Sequence, residues 1–480
     1  MATAKGVRLG YNHDFTEVYR YPGDAHLITV APTRSGKGRD VLVPALLEYE
    51  GSCIVIDPKG QLAAVTGPQR ARMGQRVLIL NPFRILPDAL APNTRYHFRG
   101  LESRCVFNAK FNPMAALDPD AESFGVDCDN IADAIVTHEP GRESHWADSA
   151  RSLVAGIVMQ LAQTPDPEVA NLSTMRDIIA GLDEDLVTFA YESCKGDNPF
   201  IKQKLARFAN DKATNLSEVA SMISTARTQT TFIGNTAIAN SLSGSDFRFR
   251  DLKFQPTTVY LVLPTRYLAT CGKWFRLVLA AALDDLLREE RGIPVLAVMD
   301  EFAQLGHLKV IENAMGLAAG YGLQIWPVLQ DLTRLKEQYG ESWETFLGNA
   351  GVQQFFAPRE NTTSNYVSEL CGEKTVYLAS ASSGTSVKGF FSDSTKSEGK
   401  SVSPTQRPAM HAQEVRQLGR DQAIMFPENM RDFISEDTDD TFIIAGRRSY
   451  LKTPEFKGLY SPDPYHTAPA AASASSWIQE

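Results

Sequence analysis

The chain has 480 residues, 43% of them hydrophobic, and a formal net charge of −9. That length accommodates two to four domains at about 150 residues each, and the hydrophobic share is that of an ordinary soluble protein with a real core. The acidic balance excludes a simple basic DNA coat, but not a local patch or ring pore, because the field that steers a ligand is local.

The N-terminus, MATAKGVRLGYNHDF, lacks the apolar core of a secretory signal. No apolar run approaches the ~18 residues needed to span a bilayer. The most apolar helical stretch, Trp274 to Leu287, is interrupted by Arg276, Asp284 and Asp285. These features predict a cytoplasmic protein. The cysteines (53, 105, 128, 194, 271 and 371) are scattered without a C-x-x-C pair, which argues against a zinc site and a disulfide framework.

The first informative stretch is HLITVAPTRSGKGRDVLVPALL, His26 to Leu47. It has the outline of a phosphate loop, G-x-x-x-x-G-K-[ST], with Ala31 at the first glycine and Gly38 at the final hydroxyl. A strand before and a helix-like run after supply the context in which backbone amides, a lysine and a helix start can hold phosphate. Ala31 costs one methyl group if φ there is negative. Gly38 cannot ligate Mg²⁺, so water would have to take that place. Pro44 is expected to kink the following helix. The competing reading is a glycine turn with a surface lysine. A dinucleotide fingerprint fails because Gly36-x-Gly38 is followed by Val41.

Short apolar runs at Leu27–Val30, Cys53–Ile56, Val77–Leu80, Val259–Leu263, Val295–Met299 and Leu323–Leu329 predict buried strands of a parallel α/β core. Pro327 weakens the last of these. Between about Pro113 and Phe249 the spacing becomes helical: Trp146, Ala150, Leu153, Val154, Ile157, Val158 and Leu161 share one face. Ser173 is the expected N-cap of a further helix. This helical segment is the expected substrate-recognition surface, or else a brace. Residues 379–403 are Ser/Gly/Lys-rich, which predicts a long mobile loop.

The predicted organisation is therefore an N-terminal segment 1–24, a nucleotide-binding α/β domain formed by 25–112 and 250–455, an all-α domain 113–249, the loop 379–403 within the second part, and a tail 456–480.

The strand IPVLAVM ends in Asp300 and Glu301. In a phosphate-loop fold such an Asp holds Mg²⁺ through water and the following Glu polarises the attacking water. The bland alternative is an acidic pair following a strand into a loop, and two motifs in the right order outweigh it. LQIWPVLQD then ends a strand at Gln330, placed to sense the γ-phosphate.

With APTRSGKG, IDPKGQ, VMDEFAQLG and VLQDLTRLKEQYG together, the chain resembles the TraG-like type IV secretion coupling proteins, from about Ala25 to Met425. The FNP stretch before the helical insertion and the segments GNAGVQQFFAPRENTTSNYVSELCG and QRPAMHAQEVRQLG add to the likeness. The resemblance implies a RecA-like P-loop NTPase domain with a mostly parallel sheet, interrupted by an all-α domain. It also implies ATP and Mg²⁺ as cofactors, an ATP hydrolase, and a hexameric ring.

On that resemblance the nucleotide-binding set is Thr33, Arg34, Ser35, Gly36, Lys37, Gly38 and Arg39. Asp300 carries Mg²⁺, and Lys37, Glu301 and Gln330 are catalytic. Asp57, Lys59 and Gly60 match a DPKG motif, with Gln61 where an acid is expected. Candidates for an arginine acting in trans are Arg227, Arg359, Arg447 and Arg448. The implied partners are channel ATPases and inner-membrane components of a type IV secretion system, and relaxase, DNA or protein substrates. The implied location is the cytoplasmic face of the bacterial inner membrane. Such proteins usually begin with transmembrane helices. None is found here, which points to a removed anchor or a separate membrane-anchoring partner. The alternatives are an FtsK/HerA-type DNA-translocating ATPase and a non-hydrolysing substrate adaptor, the latter favoured by Gly38 and Gln61.

Overall fold

A computed structural model describes residues 6–86, 100–137, 144–209, 217–386, 395–434 and 441–464. Among these, twelve strands make one sheet in the order β2-β1-β14-β13-β10-β3-β9-β8-β4-β7-β5-β6. The run from β10 to β6 is parallel throughout. Its strands are β3 (His26–Val30), β4 (Ser52–Ile56), β5 (Arg76–Leu80), β6 (Cys105–Phe107), β7 (Thr257–Leu261), β8 (Val295–Met299), β9 (Leu323–Leu329) and β10 (Ala350–Phe355). The fold class is α/β, as expected.

Alternation along these strands feeds two cores. Ile28, Val30, Ile54, Ile56, Leu78 and Leu80 face the helical region and the helix Lys273–Leu286. Leu27, Cys53, Val55, Val77 and Ile79 face α1 (Val43–Glu48) and α2 (Gln61–Arg72). A sheet covered on both faces needs such continuous apolar strands, and this is why they were legible.

Pro327 does not exclude β9 from the interior. The β9 pairing with β3 is limited to Thr29↔Val328 and Val30↔Leu329. Beside it, Ile325 N donates to His26 Nδ1 at 3.0 Å and Trp326 Nε1 to Thr29 Oγ1 at 2.9 Å. Side chains thus bridge the stretch where the proline offers no donor.

The sheet is extended by antiparallel strands not anticipated from the sequence: β13 (Gln422–Pro427), β14 (Ile443–Gly446), β1 (Val7–Tyr11) and β2 (Val18–Tyr21). Residues 7–21, expected as a separate N-terminal segment, therefore form the sheet's edge. At the other end the expected tail begins within the body. Phe456 and Ser461 are buried, and Ser461 N donates to Val65 O at 3.0 Å. The tail residues 465–480 lie outside the described residues.

Between β6 and β7 the described residues are helical, including α3 (Phe124–Ile135), α4 (Ser144–Ala162) and α5 (Leu172–Ala180). The anticipated stripe of α4 is buried from Ala150 to Leu161. The cap of α5 is Asn171, not Ser173: its side chain accepts from Ser173 N and Thr174 N at 2.9 and 3.1 Å, a role asparagine fills readily. No helix among the described residues is long and apolar enough to cross a membrane.

The stretch expected as a loop at 379–403 is a two-stranded antiparallel hairpin, β11 (Glu373–Ser386) with β12 (Thr395–Pro408). Residues 387–394 lie outside the described residues. Low apolar content argues against burial, but a ladder needs only backbone partners, and Thr375, Val376 and Tyr377 favour the extended state at its base.

Candidate active site

β3, β9, β8 and β4 are consecutive neighbours whose C-terminal ends reach one edge, with Val30 in register with Leu329 and Ile56 with Met299. The residues that follow are Ala31, Gln330, Asp300 and Asp57, so the topology collects four distant motifs where open α/β sheets bind ligands.

The turn after β3 is built from its own backbone. Ala31 N donates to Leu329 O at 2.8 Å and Ser35 N to Pro32 O at 3.1 Å. Arg34 and Gly36 are left-handed, with φ of 62° and 96°. A Cβ on Gly36 would stand 2.4 Å from Asp40 Oδ2, so only glycine fits there. Ala31 needs no left-handed backbone, and the missing first glycine is no obstacle. The expected kink at Pro44 is replaced by a π-helical turn, Gly38–Leu42, closed by Val43 N to Gly38 O. Pro44 then falls in the first turn of α1, where its missing N–H matters least.

Lys37 Nζ lies 2.9 Å from Asp300 Oδ1 and 2.9 Å from Glu301 Oε1. Burial disfavours the ammonium, but the two carboxylates outweigh it and raise its pKa above the ordinary lysine value. Burial likewise works against the Glu301 charge, and Lys37, Gln330 and Lys59 together hold its carboxyl below the usual range. Glu301 has φ 56°, a strained conformation for a non-glycine residue that requires support from its surroundings. The support is explicit: its N–H donates to Asp300 Oδ1 at 3.0 Å, and its Oε2 accepts from Gln330 Nε2 at 2.6 Å and Gln304 Nε2 at 3.1 Å. Thr33 Oγ1 donates to Gln330 Oε1 at 3.1 Å, which closes the chain of contacts back to the loop.

Asp57 is buried beside this cluster. Its carboxylate accepts from Gln61 N at 3.1 Å and Ala63 N at 2.8 Å. Burial first, and then the nearby Asp300 charge, push its pKa up to about 7 against those bonds. Gly60 is left-handed, with φ 68°, and starts α2; Lys59 is exposed. Gln61, the departure from the expected acid, donates to Asp463.

Other candidates are placed differently. Arg39 commits its guanidinium to Asp40, at 2.6 and 3.0 Å, and lies beside Gly36 of the loop. Arg447 is not available to a neighbouring copy: its side chain is buried and holds Ser35 O and Asp40 in its own chain. Arg227 is engaged by Ile179 O, Gly181 O and Asp183 in the helical region. Arg448 stacks its guanidinium over the Tyr11 and Phe15 rings. Arg359 is exposed in the segment following β10. Asp40, Gln304 and Phe356 support the site without having been anticipated. Asp40 alone carried a signal, as an acid placed four residues after the glycine of a tight turn.

A family described as "Type IV secretory system Conjugative DNA transfer" matches residues 3–89 and 103–436. A conjugal transfer protein TraG of Escherichia coli is 27% identical, covering 98% of this chain and 73% of its own length. A second E. coli TraG is 26% identical and is spanned over 60% of its length. Protein VirD4 of Rhizobium rhizogenes is 29% identical over 74% of this chain, which spans half of that relative. The solved plasmid coupling protein TrwB in complex with ADP and Mg²⁺ superposes with a TM-score of 0.62 at 14% identity, covering 96% of this chain and 93% of that one. TrwB with the ATP analogue ADPNP gives 0.60 at 14% identity, covering 90% of this chain and 87% of that one. The fold is that of a RecA-like P-loop NTPase.

Proposed function

The chain belongs to the type IV secretory system conjugative DNA transfer family, and from that premise we propose that it is an ATPase coupling protein. In this role it hydrolyses ATP with Mg²⁺ and passes relaxase-bound single-stranded DNA or protein substrates to a type IV secretion channel. The observation that carries the proposal is the convergence of Lys37, Asp300 and Glu301 within 2.9 Å.

The residues fit a magnesium-bound triphosphate. Ser35 Oγ is buried in the turn without a hydrogen-bond partner, and a side chain at Gly38 would enter open space. TrwB, which shares the fold, has been solved with ADP and Mg²⁺. The loop amides and Lys37 would hold the phosphates, and Asp300 would hold the metal through water. Bound Mg²⁺ supplies neutralisation of charge on the phosphate oxygens.

Lys37 has to turn from Glu301 to the phosphates. Glu301 then loses the strongest of the groups that depress its pKa, and its carboxylate becomes a better proton acceptor. It takes a proton from water as the water oxygen bonds to the γ-phosphorus and the bond to the bridging oxygen breaks. Gln330, hydrogen-bonded to both Glu301 and Thr33, on this reading reports whether the γ-phosphate is present. Arg359 is the remaining candidate for a trans-acting arginine in a hexameric ring. The partners on this reading are channel ATPases and inner-membrane components, met at the cytoplasmic face of the inner membrane.

The test is ATP turnover and substrate transfer by Lys37→Ala and Glu301→Gln proteins that keep the wild-type circular dichroism spectrum. Both are expected to lose turnover and transfer. Full turnover in both would refute the assignment.

A further inference from the structure

We propose that Arg447 is a positioning residue for the phosphate loop, fixing the backbone of Ser35 and, through Asp40, the turn that follows Lys37. The proposal rests on the nucleotide reading of that loop.

Arg447 follows β14 directly, and its side chain is 2% exposed. Its Nη1 donates to Ser35 O at 2.9 Å and to Asp40 Oδ2 at 3.2 Å. Its Nε donates to Gln422 O at 2.9 Å, and Nη2 donates to Arg420 O. The guanidinium carbon lies 3.7 Å from the centre of the Phe356 ring, and Phe356 N donates to Val30 O at 2.9 Å. One planar group thus ties the start of β13, the end of β10 and the loop after β3 together.

The loop needs that restraint. Ser35 lies between two left-handed residues, Arg34 and Gly36; glycine adopts that region freely, but in Arg34 it persists only when its surroundings over-determine it. Arg447 holds the one carbonyl between them. Asp40 carries the restraint to the other side of Lys37, since Asp40 N donates to Gly36 O at 2.7 Å while its carboxylate is gripped by Arg447 from inside and Arg39 from outside. Burial lowers the Arg447 pKa to about 10, which leaves it cationic at neutral pH. Lysine would keep the charge but lose the planar fork that reaches four acceptors at once.

Arg447 touches neither Glu301 nor Gln330 in this network. Its loss should loosen phosphate binding and leave the chemistry of the bound state nearly intact. The experiment compares Arg447→Lys and Arg447→Ala with wild type and Lys37→Ala. It reads affinity for a fluorescent ATP analogue, KM and kcat separately, hydrogen exchange of amides 33–41 without nucleotide, and the melting curve.

For Arg447→Lys we expect KM and Kd to rise by about tenfold or more with kcat within about threefold, and faster exchange confined to residues 33–41. Wild-type affinity and exchange in Arg447→Lys, with Lys37→Ala unable to bind, would overturn the positioning role while leaving the nucleotide site standing. Wild-type affinity in Lys37→Ala would overturn the nucleotide reading and this proposal with it. If both Arg447 variants fail to fold, Arg447 braces the whole body, and the specific role is likewise overturned.

Discussion

Lys37 Nζ donates to Glu301 Oε1 at 2.9 Å although 264 positions separate them. The pair is built by topology: one residue follows β3, the other follows β8, and β9 lies between the two strands. A surface lysine on a glycine turn would have no reason to meet one buried and one partly buried carboxylate, so this contact favours the nucleotide reading of the loop over the bland one.

Removing the lysine should therefore have two effects. Lys37→Ala is expected to lower kcat/KM by on the order of a hundredfold or more, the scale for losing a preorganised charge at a phosphoryl site. It also strips Glu301 of the cation that lowers its pKa from 4.5. A depressed carboxyl pKa contributes stability that is present above the unfolded value and is lost as pH falls through the folded one. The stability gap between wild type and variant should thus be wide at pH 7 and shrink progressively as pH falls below about 4.5. Denaturant unfolding at pH 7 and at a series of values falling from about pH 4.5 checks this; a gap that never shrinks as pH falls would mean the ion pair contributes nothing.

Glu301→Gln separates binding from chemistry. Glutamine keeps the side-chain length and can still bond to Gln330, but it cannot take a proton. Nucleotide affinity should stay within a few-fold, and kcat should fall by about 10²–10⁴, the usual contribution of a general base. Single-turnover kinetics at saturating ATP measures it. A large loss of affinity with kcat preserved would recast Glu301 as a binding residue.

The parts of this site that were legible share one cause. Asp57, Asp300 and Gln330 each directly follow a mainly apolar strand, and Lys37 ends the glycine-containing turn after another, so local pattern and position coincide. The parts that were missed depend on contacts no local pattern encodes. Arg447, named in the sequence only among four candidates for an arginine acting in trans, meets its actual partner when folding brings it 407 positions back to Asp40. β1, β2, β13 and β14 are short, and some carry polar residues such as Arg8 and Gln422. Their pairing is decided by the neighbouring strand edge, not by their own periodicity. The hairpin β11–β12 was missed for the opposite reason: composition measures capacity for burial, and this ladder buries little, with Tyr377 and Val402 exposed.

Gly38 makes a gain-of-function prediction. A Cβ at this position meets nothing within 4 Å, and the residue is not left-handed. Gly38→Ser should therefore be tolerated and would restore the hydroxyl that phosphate loops use as a metal ligand. The Mg²⁺ concentration giving half-maximal ATPase should fall several-fold, with little change in kcat at saturating Mg²⁺. A magnesium titration decides the matter. No shift would mean that the metal is held away from this turn.

Asp57 makes the pH prediction. Its folded pKa of about 7 stands above the reference value of 3.8, chiefly through burial and secondarily through Asp300. Between those values the native state binds the extra proton, so stability from this group is complete below pH 3.8 and declines until pH passes about 7. Asp57→Asn removes the titration while keeping one acceptor for the amides of Gln61 and Ala63. The variant should lose some stability at pH 4, where Asp57 is protonated, and recover relative to wild type at pH 8, where the buried carboxylate of wild type must be charged. Unfolding by urea at both values tests the sign. If the difference between the two proteins does not move toward the variant as pH rises, Asp57 is ionised throughout at no cost, and the carboxylate pair Asp57–Asp300 is better solvated than its burial implies.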